Sequence, residues 1–209
     1  GSYSSNALQN TGLVAGDYSI NITDLNGCVL DTTITLTEPQ NGVDAELTLS
    51  VYPSGTNVSC YGAADGWIDA TISGGTGPYV FNWRGPDSLE FVTEDVTNLP
   101  AGDYAYELVV TDANQCNFFT SVTLTEPDTA LWATTVTSAL NGSGTSCAGA
   151  SDGAIDLTIG GGNGGYMITW SGPDGCSAGS EDLADLIGGT YIANISDLNG
   201  CTVEQVVAL

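Results

Sequence analysis

Apolar and polar residues alternate along most of this chain with a period of two. The segment GWIDATISGG places Ile68, Ala70 and Ile72 on one side, and the later segment AIDLTIGGG repeats the pattern. Side chains two residues apart lie on the same face of a β-strand, so these segments are predicted to be half-buried strands. Gly, Pro, Asn and Asp interrupt them at short intervals, as in GGTGP and LPAGD. The pattern therefore predicts an all-β protein of short strands joined by tight turns.

The same order of segments returns after about 86 residues. Tyr18, Tyr104 and Tyr191 are 86 and 87 residues apart, and Trp83 and Trp170 are 87 apart. A unit of this size can bury a small core of its own. Thr-Glu-Pro segments ending at Pro39 and Pro127 are predicted to be the linkers. We expect three units: residues 1–39 as the C-terminal half of a truncated repeat, residues 40–127 as a complete repeat, and residues 128–209 as a third repeat.

Six or seven short strands in each unit predict an immunoglobulin-like β-sandwich. Trp83 and Trp170 fall on the strand expected to be strand C, where a large ring fills the core. The Leu-x-x-Gly-x-Tyr segments, which end at Tyr18, Tyr104 and Tyr191, are typical of a tyrosine corner. In that feature a buried ring donates its hydroxyl hydrogen to nearby backbone. The predicted fold class is therefore all-β, with tandem immunoglobulin-like β-sandwich repeats of about 86 residues.

The cysteines recur with the same period, which predicts a disulfide in each unit. Cys60 is predicted to end the first strand of its unit, and Cys116 falls in the turn between the last two. If six strands run up and down through short turns, both cysteines lie at one end of the sandwich. We therefore predict two disulfides within units, Cys60–Cys116 and Cys147–Cys201. Such bridges are typical of an oxidising, extracellular compartment.

Two cysteines fall outside this scheme. Cys28 is expected to have its partner upstream of this sequence, which begins in the middle of a unit. Cys176 is additional, and its spacing leaves open whether it is free or competes for Cys147 or Cys201. No Cys-x-x-Cys pair is present, so a metal site built on cysteines is disfavoured.

The charge balance excludes several classes of function. The chain has one basic residue, 25 acidic residues and no histidine, for a net charge of -24. Nucleic acids and anionic membranes are bound through Lys and Arg, so neither partner is expected. Catalytic triads and mixed Cys/His zinc sites need histidine, and no pair of carboxylates stands out as a catalytic dyad. We therefore do not expect an enzyme. We do not expect membrane insertion either, since no apolar segment is long enough to span a bilayer.

Calcium is the one cofactor that the acidic composition leaves open, since this ion takes oxygen ligands. The segments AADGWID and ASDGAID place Asp65 and Asp69, and then Asp152 and Asp156, at the same points of two units. The simpler interpretation is a turn aspartate followed by an outward strand carboxylate. No cofactor is therefore predicted, and calcium remains the alternative.

Several motifs occur in a fixed order in this chain. They are Cys-x-Gly-x-x-Asp-Gly, Gly-Gly-x-Gly, Tyr-x-x-x-Trp, Leu-x-x-Gly-x-Tyr, Asp-x-x-x-Cys and Thr-Glu-Pro. This order resembles the SprB-type repeat of very large bacterial surface proteins, with Gly165 in place of a proline and Cys176 as an addition. The resemblance implies a gliding-motility adhesin of Bacteroidota-type bacteria, exported by the type IX secretion system. It also implies an extracellular location, with attachment to the outer membrane through other parts of the parent chain.

The same resemblance implies O-glycosylation at Asp-Ser/Thr sequences, which would modify Thr32, Ser88 and Thr129. The expected role is a non-catalytic, disulfide-stapled stalk whose partners are neighbouring repeats of the same long chain. The alternative role is direct binding of surface polysaccharide through exposed aromatic rings at Tyr61, Trp67 and Trp132. Ala148 and Ala154 replace Tyr61 and Trp67 in the third unit, which disfavours a repeated polysaccharide site.

Overall fold

The computed structural model describes residues 11–38, 41–140 and 142–209. It is all-β, as the alternation predicts, and its sheets are antiparallel. An N-terminal hairpin precedes two sandwiches. The hairpin consists of β1 (Gly16–Thr23) and β2 (Val29–Leu36). Among the described residues, no helix is both long and apolar enough to cross a bilayer.

Each sandwich contains seven strands in the same order along the chain. The first is formed by β3 (Asp44–Leu49), β4 (Gly66–Ser73), β5 (Val80–Arg84), β6 (Glu90–Phe91), β7 (Val96–Leu99), β8 (Tyr106–Thr111) and β9 (Asn117–Val122). The second is formed by β10 (Trp132–Thr137), β11 (Ser151–Gly160), β12 (Met167–Ser171), β13 (Ser177–Ala178), β14 (Leu183–Ile187), β15 (Thr190–Ser196) and β16 (Thr202–Ala208). A short 3-10 turn precedes β6 and another precedes β13, at Pro86–Ser88 and Pro173–Gly175.

The two sheets of each sandwich have three and four strands. The first sandwich pairs strands in the order β3-β4-β7 and β6-β5-β8-β9, and the second in the order β10-β11-β14 and β13-β12-β15-β16. In immunoglobulin nomenclature these are strands A-B-E and C′-C-F-G. We use these letters for the loops: the A–B loop is 50–65 in the first sandwich and 138–150 in the second, and the F–G turn is 112–116 and 197–201.

Each sandwich buries its own core around one tryptophan. Trp83 and Trp170 are fully buried, as predicted, and each indole N–H reaches a backbone carbonyl, at Thr93 (3.1 Å) and Ser180 (3.0 Å). The inward residues of strands B and F pack around these rings. The two cores share no buried residue, so each sandwich has the hydrophobic interior of a separate folding unit.

The tyrosine corner of the first sandwich is formed by Tyr106, and the assignment of Tyr104 to that position was wrong. Both hydroxyls donate to nearby carbonyls, Tyr106 to Pro100 (2.8 Å) and Tyr104 to Ala101 (2.7 Å), but only Tyr106 is fully buried, while Tyr104 is partly buried. Tyr191 occupies the same position in the second sandwich and donates to Ile187 (3.0 Å). Burial raises the pKa of both Tyr106 and Tyr191. The first sandwich has two more residues between Tyr104 and Cys116 than the second has between Tyr191 and Cys201, and these lie before strand F, so the F–G hairpins of the two sandwiches have the same length.

A seventh strand, C′, reverses the tracing on which the predicted disulfides depended. The A–B loop contacts the end of strand G, where the N–H of Asn57 donates to Thr125 (2.9 Å). The B–C loop contacts the F–G turn, where the N–H of Thr76 donates to Asp112 (3.0 Å). The A–B loop and the F–G turn therefore lie at opposite ends of a sandwich, which we call the A–B pole and the F–G pole. Cys60 lies in the A–B loop, eleven positions after the last residue of β3, rather than ending that strand.

Candidate functional site at the joint between the sandwiches

The F–G turn of the second sandwich is built around one aspartate. Oδ1 of Asp197 accepts the backbone N–H of Asn199 (3.0 Å) and of Cys201 (2.9 Å), while Oδ2 accepts the N–H of Asn163 (2.8 Å). Asp197 is 4 % exposed. Burial acts to raise the pKa of its carboxyl, but the hydrogen bonds from Asn163 and Cys201 outweigh it and hold the pKa below its ordinary value. This ionised carboxylate fixes the position of Cys201.

The same turn occurs three times in the chain. Asp112 holds Asn114 (2.9 Å) and Cys116 (2.8 Å) through backbone N–H groups in the first sandwich. The hairpin repeats the arrangement with Asp24, Asn26 and Cys28, both contacts being 2.9 Å. The Asp-x-x-x-Cys motif thus encodes one side-chain-stabilised turn that presents a cysteine at the F–G pole.

The A–B loop presents the second type of cysteine. In the first sandwich, Asp65 accepts the N–H of Ser59 (3.0 Å), and a tight turn joins the carbonyl of Cys60 to the N–H of Ala63 (2.9 Å). Burial opposes ionisation of Asp65, but its hydrogen bonds with Ser59 prevail and lower its pKa. The second sandwich has the same contacts, between Asp152 and Ser146 (3.0 Å) and between Cys147 and Ala150 (3.0 Å).

Cys60 and Cys201 form a disulfide that joins the two sandwiches. Their Cα atoms are 5.8 Å apart, and the bond spans 141 positions of sequence. The predicted pairs Cys60–Cys116 and Cys147–Cys201 were therefore wrong. The physical reason is the position of the poles: Cys60 and Cys116 lie at opposite ends of one sandwich, whereas the A–B pole of the first sandwich meets the F–G pole of the second.

Two asparagines of the second sandwich contact the backbone beside this disulfide. The Asn163 amide donates to the carbonyl of Ser59 (2.9 Å), and the Asn199 amide lies 3.0 Å from the same carbonyl. Asn199 also accepts the N–H of Ser54 (3.0 Å) and contacts its hydroxyl (2.9 Å). These contacts give the joint a fixed geometry in addition to its covalent bond.

The peptide linker is fixed to both sandwiches. On the first, the N–H of Gly62 donates to the Glu126 carboxylate (2.6 Å), and Pro127 is buried. On the second, the N–H of Gly162 donates to the carbonyl of Thr129 (2.9 Å). The polypeptide and the disulfide therefore cross the joint side by side. Pro39, the other predicted linker proline, lies outside the described residues.

The remaining four cysteines are free thiols in the described part of the chain. Cys28, Cys116 and Cys147 are exposed, while Cys176 is half-buried against the second core. Of the alternatives open for Cys176, the structure therefore has the free thiol.

The aspartates considered for calcium have structural roles or point into solvent. Asp65 and Asp152 accept loop N–H groups, whereas Asp69 and Asp156 lie on exposed positions of β4 and β11. Within the ranges that the structure describes, no three or more His, Cys, Asp or Glu side chains are grouped as they would be around a metal ion. The prediction of no cofactor and its alternative, calcium binding, both stay untested.

The candidate glycan and polysaccharide positions are all on the surface. Thr32, Ser88 and Thr129 are exposed. Tyr61, Trp67 and Trp132 are 53 %, 40 % and 45 % exposed. Tyr61 borders a shallow cleft that also includes Asp103 and Glu126. Glycosylation stays a prediction, and polysaccharide binding stays the alternative role.

Sequence reasoning missed Asn163 and Asn199, which complete the joint. Asn199 belongs to the motif Asp-x-Asn-x-Cys, which recurs at Asn26 and Asn114 and could have indicated a role for the amide. Asn163 corresponds to Thr76 of the first sandwich, so no repeated asparagine marks this position in the sequence.

Two β-sandwiches of the same strand order, joined by a linker and a disulfide, define the class of this molecule as a tandem-repeat β-sandwich protein. The family model described as SprB repeat matches residues 54–88 and 145–175. Both matches begin in an A–B loop and end in the connection between strands C and C′. These two matches confirm the resemblance to the SprB-type repeat that the sequence motifs indicated. The SprB repeat is a structural repeat of cell-surface adhesins and not a known enzyme family. A search of curated proteins gave no match to the chain.

Proposed function

We propose that this chain is a non-catalytic, extracellular stalk segment of a large gliding-motility adhesin, in which disulfides join consecutive repeats. The observation that carries the proposal is the Cys60–Cys201 bond, because it links two sandwiches rather than closing one. A bond inside a sandwich would stabilise that unit alone. A bond between sandwiches fixes their relative orientation, which is the property that a stalk requires.

The contacts beside the disulfide support the same role. The linker is held on both sides of the joint, and the amides of Asn163 and Asn199 reach the backbone of the first sandwich. A chain that used its repeats as independent binding modules would gain more from flexible linkers of Gly and Ser. The net charge of -24 keeps such a stalk solvated and opposes lateral association.

Small-angle scattering of the oxidised and reduced chain tests this proposal in solution. We expect the oxidised chain to have one defined maximum dimension, and the Cys60→Ser/Cys201→Ser double variant to show a wider distribution of dimensions. Cys176→Ser is the matched control and should scatter as the natural chain does. Peptide mapping that found Cys60 bonded inside its own sandwich would refute the proposal.

The position of the segment in the parent protein needs a cellular experiment. Gold labelling of an epitope placed in the exposed 3-10 turn at Pro86–Ser88 should mark the shaft of surface filaments. Label confined to filament tips would instead favour direct adhesion.

Polysaccharide binding is the second candidate function, and the exposure of Trp67 is the observation that favours it. Trp67→Ala should abolish binding to a polysaccharide array if this ring forms a sugar platform. Val136→Ala, a change of another exposed apolar side chain, is the matched control.

A further inference from the structure

The observed joint has two halves, an A–B loop with its cysteine and an F–G turn with its cysteine. Each half occurs once more in the chain, without a bonded partner among the described residues, and we call these two copies half-joints. Cys116 has the position in the first sandwich that Cys201 has in the second, and Cys147 has the position in the second that Cys60 has in the first. Both Cys116 and Cys147 are exposed free thiols. In contrast, Cys60 is partly buried and Cys201 is buried, and the two are bonded to each other in the joint. The chain thus carries one complete joint and two complementary half-joints.

The half-joints have the geometry of the complete joint. The cysteine N–H reaches its aspartate at 2.8 Å in the free F–G turn and 2.9 Å in the bonded one. In both A–B loops the N–H of the serine before the cysteine donates to the loop aspartate at 3.0 Å. The cysteine carbonyl accepts the N–H of the alanine three residues later, at 2.9 Å for Cys60 and 3.0 Å for Cys147. Cys116 and Cys147 are therefore held in the conformations in which Cys201 and Cys60 form their bond.

The polypeptide direction fixes which half-joints can meet. In the observed joint, the A–B loop belongs to the earlier sandwich and the F–G turn to the later one. We propose that every A–B cysteine pairs with the F–G cysteine of the next repeat. By this rule Cys147 bonds to the F–G cysteine of a following repeat, and Cys116 bonds to the A–B cysteine of a preceding repeat. Two copies of this chain would therefore be joined by a disulfide between Cys147 of one copy and Cys116 of the other. The inference rests on the proposed role as a disulfide-joined stalk.

Part of the polar surroundings of the joint is also present at the half-joints, although Thr76 stands in place of Asn163, whose amide reaches the Ser59 carbonyl in the complete joint. Asn114 has the position of Asn199, and Ser143 and Ser146 have the positions of Thr56 and Ser59. In the complete joint the Asn199 amide contacts the Thr56 hydroxyl (3.2 Å) and the Ser59 carbonyl (3.0 Å). Asn114 of one copy would make the corresponding contacts with Ser143 and Ser146 of another copy. This interface is heterologous, so it extends a chain of repeats rather than closing a symmetric dimer.

The bond needs an oxidant, and a small disulfide such as oxidised glutathione supplies it. The thiolate of one cysteine attacks the small disulfide, releases one glutathione and leaves a mixed disulfide. The second cysteine thiolate then attacks the protein sulfur of that mixed disulfide and releases the second glutathione. Two protein thiols are oxidised, one glutathione disulfide is reduced to two thiols, and the two thiol protons pass to the released glutathiones.

The test uses the full chain with Cys28 and Cys176 changed to serine, so that Cys116 and Cys147 are the only thiols outside the joint. From this parent, adding Cys116→Ser gives one variant and adding Cys147→Ser gives the other. Each variant, and their equimolar mixture, is oxidised with glutathione disulfide and separated without reductant. We expect neither variant alone to form a disulfide-linked dimer, and the mixture to form one whose linked peptides contain Cys147 and Cys116.

Random oxidation of exposed thiols gives a different result. Each variant alone would then form a homodimer, and the mixed dimer would be no more than half of the dimers in the mixture. That outcome, or no dimer at all, overturns the pairing rule. Peptide mapping of Cys60–Cys201 in the same samples reports on the proposed function separately. If that bond is intact while Cys147 and Cys116 fail to pair, the pairing rule is wrong and the stalk role stands; if that bond is absent, the stalk role itself fails.

Discussion

Cys60 and Cys201 are bonded across the boundary between two sandwiches, each of which has a complete core of its own. The bond therefore acts mainly on the docking of the sandwiches. The hydrogen bonds beside it act on the same equilibrium, because Asn163 and Asn199 donate to the carbonyl of the residue before Cys60.

Asn199→Ala should loosen the joint without unfolding either sandwich. The substitution removes the side-chain contacts with Ser54, Thr56 and Ser59, while the turn aspartate and its backbone contacts remain. We expect reductant to open the Cys60–Cys201 bond several-fold faster, measured by trapping the released thiols. Asn114→Ala removes the equivalent amide where it touches no second sandwich and is the matched control. Equal rates for the two variants would show that the amide does not hold the joint.

Replacing Asp197 should lower stability in a pH-dependent way. The folded pKa of this carboxyl lies below its ordinary value, which is near 4 for aspartate, so its stabilising contribution is complete above about pH 4 and is lost as the pH falls. In Asp197→Asn, an amide N–H replaces an acceptor facing Asn163. We expect the difference in Tm from the natural chain to be largest near neutral pH and to shrink below about pH 4.

The control for this titration is Asp156→Asn, since Asp156 is an exposed strand residue. Both variants remove one charge from a very acidic chain, so the general repulsion changes equally. A Tm difference for Asp197→Asn that stayed constant from neutral to acid pH would contradict the role assigned to its ionised form.

The N-terminal hairpin should cause self-association through its apolar side chains. Ile22 and Ile34 are 47 % and 49 % exposed, whereas Val110 and Ile195, which correspond to Ile22 in the sandwiches, are buried. Among the described residues, no strand is hydrogen-bonded to the hairpin. Removing residues 1–38 should therefore reduce the binding of a hydrophobic dye and the fraction of aggregates in sedimentation.

A second variant separates the apolar face from the rest of the removed segment. Ile20→Ser/Ile22→Ser in the full chain should reproduce much of the decrease in dye binding. If dye binding were unchanged by both alterations, the exposed surface would have to lie elsewhere.

Chelation should leave the thermal stability unchanged. Asp65 and Asp152 already accept hydrogen bonds from loop N–H groups, so the A–B loops need no cation to hold their shape. Melting curves with excess EDTA and with added calcium should therefore coincide. A higher Tm in calcium, abolished by Asp65→Asn but not by Asp69→Asn, would establish a calcium site in the first A–B loop.

The strands and the cores could be predicted from the sequence because alternation is a local signal. Ile68, Trp83 and Leu108 are buried where the period of two places them. The disulfide could not be predicted, because it depends on counting strands, and β6 contains only two residues, Glu90 and Phe91. A strand so short carries no alternation. Its omission moves the F–G turn to the wrong pole.

The prediction of the tyrosine corner in the first sandwich was wrong for a related reason. The segment that ends at Tyr104 matches the Leu-x-x-Gly-x-Tyr pattern, whereas counting back from Cys116 reaches Tyr106. Because an insertion of two residues preserves the alternation, both tyrosines face the same side and the pattern cannot choose between them. The packing of the core selects Tyr106. A Cβ on Gly85 would lie only 2.7 Å from the Tyr106 ring, so the turn after β5 fits closely over that side chain.

The Cys60–Cys201 bond also determines how tension would pass through the chain. A pulling force applied at the two ends of the sequence crosses from residue 60 to residue 201 through sulfur, and the 140 residues between them carry none of it. Reduction would add these residues to the extensible length, about 480 Å at 3.4 Å per residue. Single-molecule stretching with and without reductant should show this difference in contour length. Under oxidising conditions most of both sandwiches is thus mechanically bypassed, and a pulling force would not extend the strands between the two cysteines.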